Sequence, residues 1–303
     1  MSMPSVDPDP TRSPPGRAGS GDGPSRGAWV SGLSVPSFAA CLELGMEPLG
    51  LAQGVAVMQW AWYVGTYGMP ALPAPTGRRQ YSETWRCPHG FVGAEHRSYG
   101  FNYEQTWVEG NWANGFGLAY RRMLDEAEAL GAHGVIGVVD QMRHTAGSGT
   151  AEFLIRGTAV RVPGAAVPST PFATYLSGQR LTKLVDTGYV PVGIAAALSS
   201  VQMIGYCTTQ YQLAGSTAMT WGGGGVEPIT QVVRAKGAAL RLAREHVRAQ
   251  LGTDALHGAT FDAFEHEVGE ADFTFQCLVK GTRVRFVGHV EPPAQPGLVV
   301  SLR

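Results

Sequence analysis

The chain has 303 residues, of which 44% are hydrophobic and 16% charged, and its formal net charge is −1. That is ample apolar material for cores and enough length for about two domains. A near-neutral balance leaves no broad field to attract nucleic acid or an anionic membrane surface.

Cys41, Cys87, Cys207 and Cys277 are scattered and form no CxxC pair, which suits free thiols in a reducing cytoplasm better than a disulfide scaffold. Residues 1–27 are rich in Pro, Gly, Ser, Asp and Arg and contain no apolar segment. They therefore read as a disordered tail and not as a secretory signal. The most apolar run, Val190 to Ala197, is far below the roughly 20 residues of a membrane helix. The expected location is cytoplasmic, with no membrane and no nucleic acid as partner.

From Trp29 onward, Ser37 can cap a short helix, with Phe38 and Leu42 on one side and Gly45 as its stop. A strand from Leu49 to Met58 follows Pro48. Beyond a long irregular stretch, Phe116, Tyr120, Met123, Ala127 and Leu130 fall at helical spacing, predicting a helix from about Gly117 to Leu130. Gly131 ends it. Val135 to His144 and Ala151 to Val162 then read as a hairpin. After a linker at 164–174 the plan returns: a short helix before Gly188, a strand after Pro191, a long helix opened by Pro228, and a hairpin near Leu256 to Phe264 and Phe273 to Phe286.

The return is written in the residues. Gly45-Met46-Glu47-Pro48-Leu49-Gly50 reappears as Gly188-Tyr189-Val190-Pro191-Val192-Gly193. Leu130-Gly131-Ala132-His133-Gly134 is echoed by Leu251-Gly252-Thr253-Asp254-Ala255, and Gly157-Thr158-Ala159-Val160 by Gly281-Thr282-Arg283-Val284. Three blocks in one order imply a doubled module. The expected fold is α+β, with two tandem two-layer units, each a helix packed on a small antiparallel sheet. The units span 28–163, with an aromatic-rich insertion at 60–115, and 175–289, with 290–303 as a tail. Sheets of so few strands expose edges, which predicts edge pairing with a second copy of the unit, whether in the same chain or in another chain.

Leu130 to Gly137 with Gly157-Thr158-Ala159-Val160, and their second-half echoes, resemble the YbjQ-like family. The resemblance implies a small α+β domain that assembles into rings, pentameric in relatives, with a role in binding heavy metals and no established reaction. The doubled chain departs from the single family unit. Five is odd, so either two stacked rings or a differently closed ring is expected.

Twelve aromatic residues lie between Trp60 and Trp112. They suit an extra core layer or oligomer contact, or else a small-molecule pocket. Cys87-Pro88-His89, with His96 close behind, offers the sulfur and nitrogen donors that zinc or copper prefers. The plainer alternative is that Cys87, His89 and His96 are ordinary loop residues. His133 and Asp254, just past a helix stop, read as partners of helix ends. The Arg234, Arg241, Arg244 and Arg248 stripe reads as a solvated face, and His246 as a packing residue. No GxSxG, HExxH or GxGxxG pattern is present. The reading is a non-enzymatic, homo-oligomeric protein with a transition metal as candidate ligand. The alternative is a ligand sensor or enzyme whose pocket the aromatic insertion builds.

Overall fold

Helices among the described residues end where a backbone turn is cheap. In a computed structural model, which describes residues 30–59, 101–145, 150–205, 228–269 and 272–288 with the single residues 209 and 213, helix α1 (Val35–Glu43) is capped by the Ser34 side chain. It closes through Met46 N donating to Cys41 O at 2.9 Å. Helix α2 (Thr106–Ala129) closes in the same way, with Ala132 N donating to Ala127 O at 3.0 Å around Gly131 at φ 69°. Only glycine adopts that left-handed geometry without a steric cost.

Strand β1 (Glu47–Gln59) follows α1, and β2 (Phe101–Glu104) precedes α2. The hairpin β3 (Gly134–Thr145) and β4 (Thr150–Arg161) comes next, then the two-residue β5 (Phe172–Ala173) and helix α3 (Gly178–Asp186). Strand β6 (Tyr189–Ile204), helix α4 (Thr230–Leu251) and the hairpin β7 (Ala255–Gly269) and β8 (Asp272–Phe286) complete the described chain. Two four-stranded sheets result. Sheet one runs β1-β4-β3-β5 and sheet two β2-β6-β8-β7. All pairings are antiparallel except β3 with β5.

The expectation of two tandem two-layer units, each a helix on its own sheet, is corrected here. Helix α2 does not belong to one sheet. It lies between both, and its core gathers Ala52, Ala56, Phe153 and Ile155 from sheet one with Ile194, Ala196, Leu198 and Leu278 from sheet two. Toward sheet one it packs so closely that a Cβ on Gly54 would lie 1.9 Å from Ala119 O. Toward sheet two, the Tyr120 hydroxyl stands 3.6 Å from where a Cβ on Gly193 would lie. The rings of Trp112, Phe116 and Tyr120 stack along the helix, with centroids 4.8 and 6.3 Å apart. Strand β6 is accordingly buried on both faces over most of its length. Its far face carries α4, whose Ala235, Ala239, Ala243 and Val247 meet Ala195, Ala197, Val201 and Met203. The mixed α+β arrangement is therefore a stack of sheet, helix, sheet and helix.

The halves also exchange strands. β2, which precedes α2, pairs with β6, and β5 pairs with β3. A third apolar cluster joins Cys41 of α1, Ile136, Val160, Leu181 and Leu184 of α3, and Val284. Lys280 reaches across to Asp140 at 3.0 Å. No helix among the described residues is long and apolar enough to cross a membrane.

The Gly54 contact makes a prediction. A Gly54→Val change puts branched carbon into the α2 backbone, which cannot give way as a flexible side chain would. Stability to urea should fall by about 2 kcal/mol or more, read from the unfolding midpoint. An unchanged midpoint would mean that α2 is not seated on β1.

Candidate functional site

Buried strands rarely carry polar side chains unless each finds a partner, and on the face of sheet two that meets α2 a row of them does. Ser200 and Gln202 of β6 and Gln276 of β8 are all buried, as is Gln105 at the start of α2. Ser200 Oγ donates to Gln105 Oε1 at 2.8 Å, and Gln105 Nε2 donates to Gln202 Oε1 at 2.8 Å. The Tyr103 hydroxyl donates to that same Gln202 oxygen, and Gln276 Nε2 donates to Ser200 Oγ at 3.3 Å. Gln105 N donates to Ser200 O at 2.7 Å, tying the start of α2 to the middle of β6.

At one end of this row stand three ionisable groups. Glu109, 9% exposed, accepts from Ser200 N through Oε1 at 2.8 Å. His246 of α4 places Nδ1 4.0 Å from Glu109 Oε2 and Nε2 3.5 Å from Glu104 Oε1. One ligand atom from each of Glu104, Glu109 and His246 lies within 4.8 Å of the others. Burial pushes the Glu109 carboxyl up to about 7, against the Ser200 N–H, which favours its ionised form, while the Glu104 carboxylate adds to the rise. The Tyr103 hydroxyl is raised as well, chiefly by burial. Such a set can take up and release a proton near neutrality. Three donors are one fewer than a closed structural zinc site uses.

Sequence reasoning missed this cluster. It took His246 for a packing residue, because Glu104 and Glu109 lie about 140 positions away and reach it only through the β2–β6 pairing. The available signal was the interruption of two apolar strands by Ser199, Ser200, Gln202 and Gln276. Cys87, His89 and His96 lie outside the described residues, as does most of the aromatic stretch. Trp107 and Trp112 are described and stand on the first turns of α2.

The remaining candidates go elsewhere. His133 Nδ1 accepts from Val162 N at 3.2 Å, and Asp254 pairs with Arg283 at 2.6 Å and Arg285 at 2.8 Å. Both side chains therefore bind the end of the adjacent strand, while Asp254 N also donates to Leu251 O at the end of α4 at 2.9 Å. The Arg285 and Arg283 hydrogen bonds hold the Asp254 carboxyl below the usual carboxylate range. The acidic and histidine side chains of β7 are spread along an exposed strand. Burial pushes the Cys41 thiol up to about 11, so it stays protonated and unreactive at neutral pH.

Over 171 residues the chain is 31% identical to an encapsulin nanocompartment protein of Mycobacterium tuberculosis, covering 54% of this chain and 53% of that protein. The chain thus spans about half the length of the curated relative it matches. No family model matches it, and no solved structure matches it. These findings overturn the YbjQ-like resemblance, and with it the non-enzymatic, heavy-metal-binding role that the resemblance implied. The sensor or enzyme alternative rested on the aromatic insertion, whose residues 60–100 are not described.

The Glu109 environment has a pH signature. Between about 4.5 and 7 the folded chain keeps a proton that the unfolded chain has released. Stability therefore falls as pH rises across that window and is flat above it. The melting temperature should drop by roughly 5 °C from this group, and Glu109→Gln should flatten that part of the profile. A Glu109→Gln profile as steep as the parent's would remove Glu109 as the cause.

Proposed function

We propose that this chain is a self-assembling component of a protein nanocompartment. The observation that carries the reading is the 31% identity over 171 residues with an encapsulin nanocompartment protein. The surface leaves some large apolar side chains uncovered. Val57 on the outer face of sheet one is 64% exposed, and Phe261, Phe264 and Phe286 of sheet two are 47%, 45% and 54% exposed. They stand singly, with Phe261 and Phe264 on opposite faces of β7, and are open to contact with another chain.

No chemistry is asked of the Glu104, Glu109 and His246 cluster in this reading. It sits where β2, α2, β6 and α4 meet, and its protonation tunes how firmly the stack holds.

The test is the size and shape of the full-length protein in solution. Light scattering after size exclusion should give a particle many times the 32.1 kDa of one chain, and electron microscopy should show a closed shell with a hollow centre. A species of one-chain mass at micromolar concentration would overturn the reading, as would a solid aggregate without defined shape.

A further inference from the structure

The chain carries one hydrogen-bonding device twice, and among the described residues only one of the two is completed by a strand. Before α1, Gly32 N donates to Thr158 Oγ1 at 3.1 Å, the Ser31 and Thr158 hydroxyls are 3.2 Å apart, and Leu33 N donates to Ser31 Oγ at 3.1 Å. Before α3, Tyr175 N donates to Thr282 Oγ1 at 3.1 Å, the Thr174 and Thr282 hydroxyls are 3.0 Å apart, and Leu176 N donates to Thr174 Oγ1 at 3.0 Å. The strands beyond match as well. Irregularities in pairing fall at Pro48/Gly50 and Pro191/Gly193, and again at Ile136/Val139 and His257/Thr260. Gly137 and Gly258 have φ of 62° and 64°. Residues 31–33 therefore stand where 174–176 stand, and residues 256–259 of β7 stand where 135–138 of β3 stand.

The edge of β3 is closed by the strand leading into α3. Thr174 N donates to Val135 O at 2.9 Å, Val138 N donates to Thr174 O at 2.9 Å, and Gly137 N donates to Leu176 O at 3.0 Å. The matching edge of β7 meets no strand among the described residues. β7 is exposed on both faces over most of its length, whereas β3 is largely buried from Gly134 to Val138. Residues 31–33 likewise pair with no strand among the described residues. They cannot reach β7 of their own chain, because Thr158 holds them to sheet one while β7 is the far edge of sheet two.

We infer that residues 30–34 of one copy add in parallel to β7 of a second copy, repeating between chains the join of β5 to β3 within one. Ser31 N then donates to Leu256 O, Ala259 N to Ser31 O, and Gly258 N to Leu33 O. Phe261 occupies the position of Asp140, and Arg156 the position of Lys280. The ion pair of the internal join accordingly becomes a cation–π contact between Phe261 of one copy and Arg156 of the next. Val35 stands at the position of Gly178, where a Cβ would lie 2.1 Å from Ser37 O, so the helices across the new contact stand further apart than α1 and α3. A contact between two different surfaces is heterologous, and it propagates head to tail into rings or open arrays. It rests on the doubled geometry and not on the nanocompartment reading.

Two full-length variants test it, Ser31→Pro and Ala259→Pro. Each removes one N–H donor of the contact, and proline is tolerated at an open edge whose N–H faces away from its own sheet. Each alone should raise the dissociation constant for assembly by about tenfold or more while circular dichroism stays native. Mixed, they should stop at small species, because neither can extend both ways. Assemblies unchanged in size and affinity in both variants would overturn the inference. Should either variant unfold, hydrogen exchange of the unaltered protein decides instead. The amides of Ser31, Gly258 and Ala259 must gain protection as concentration rises through assembly, and equal exchange at all concentrations would overturn it. Small rings blocked by the variants would uphold this contact and sink the nanocompartment reading. Closed shells that persist in both variants would do the reverse.

Discussion

Helix α2 must pack against two sheets at once, and that constraint organises the molecule. A helix that packs on one sheet needs one apolar stripe; α2 carries two. Ala119 and Met123 meet β1 closely enough to require Gly54, while Tyr120 and the aromatic stack above it meet sheet two. Met123 is fully buried, and burial of a side chain of that kind is worth about 1.5–3 kcal/mol. Neither sheet keeps a covered inner face without this helix. The two sheets are therefore parts of one core and not of two.

Several polar groups enter that core where strand edges need partners. Arg122 donates to Val55 O and Gln53 N donates to Glu126 at 2.6 Å, so α2 side chains satisfy the open edge of β1. Gln250 of α4 does the same for β6, bonding both N and O of Ala196. Where β2 covers the edge of β6 instead, Gln105, Ser200 and Gln202 form the closed network beside Glu109. Desolvation of that carboxyl is the cost of bringing the start of α2 against sheet two. The surrounding donors offset it only in part, which is why the group holds its proton toward neutrality.

The sequence made the elements legible and their assembly illegible. Gly45, Gly131, Gly188 and Gly252 mark helix ends through their backbone freedom, and the alternation in 151–162 marks a strand by its own period. These signals are local. The placement of α2 between sheets depends on Trp112, Phe116 and Tyr120 meeting residues about 80 positions later, and no period reports such a meeting. The YbjQ-like resemblance failed for a related reason. A glycine after a helix and a Gly-Thr-Ala-Val strand are what any helix, tight turn and bulged hairpin would select, so they describe local geometry and not ancestry. The Glu104, Glu109 and His246 cluster was hidden by distance along the chain, and the Cys87, His89 and His96 expectation falls on residues the structure does not describe.

Amide hydrogen exchange at low protein concentration tests the shared core most directly. With both faces covered, residues 106–129 should open only with the whole molecule and exchange more slowly than residues 230–251, which are covered on one face. Exchange in α2 as fast as in α4, at equal pH and temperature, would mean that the sheets separate freely around it and that the single stacked core does not exist.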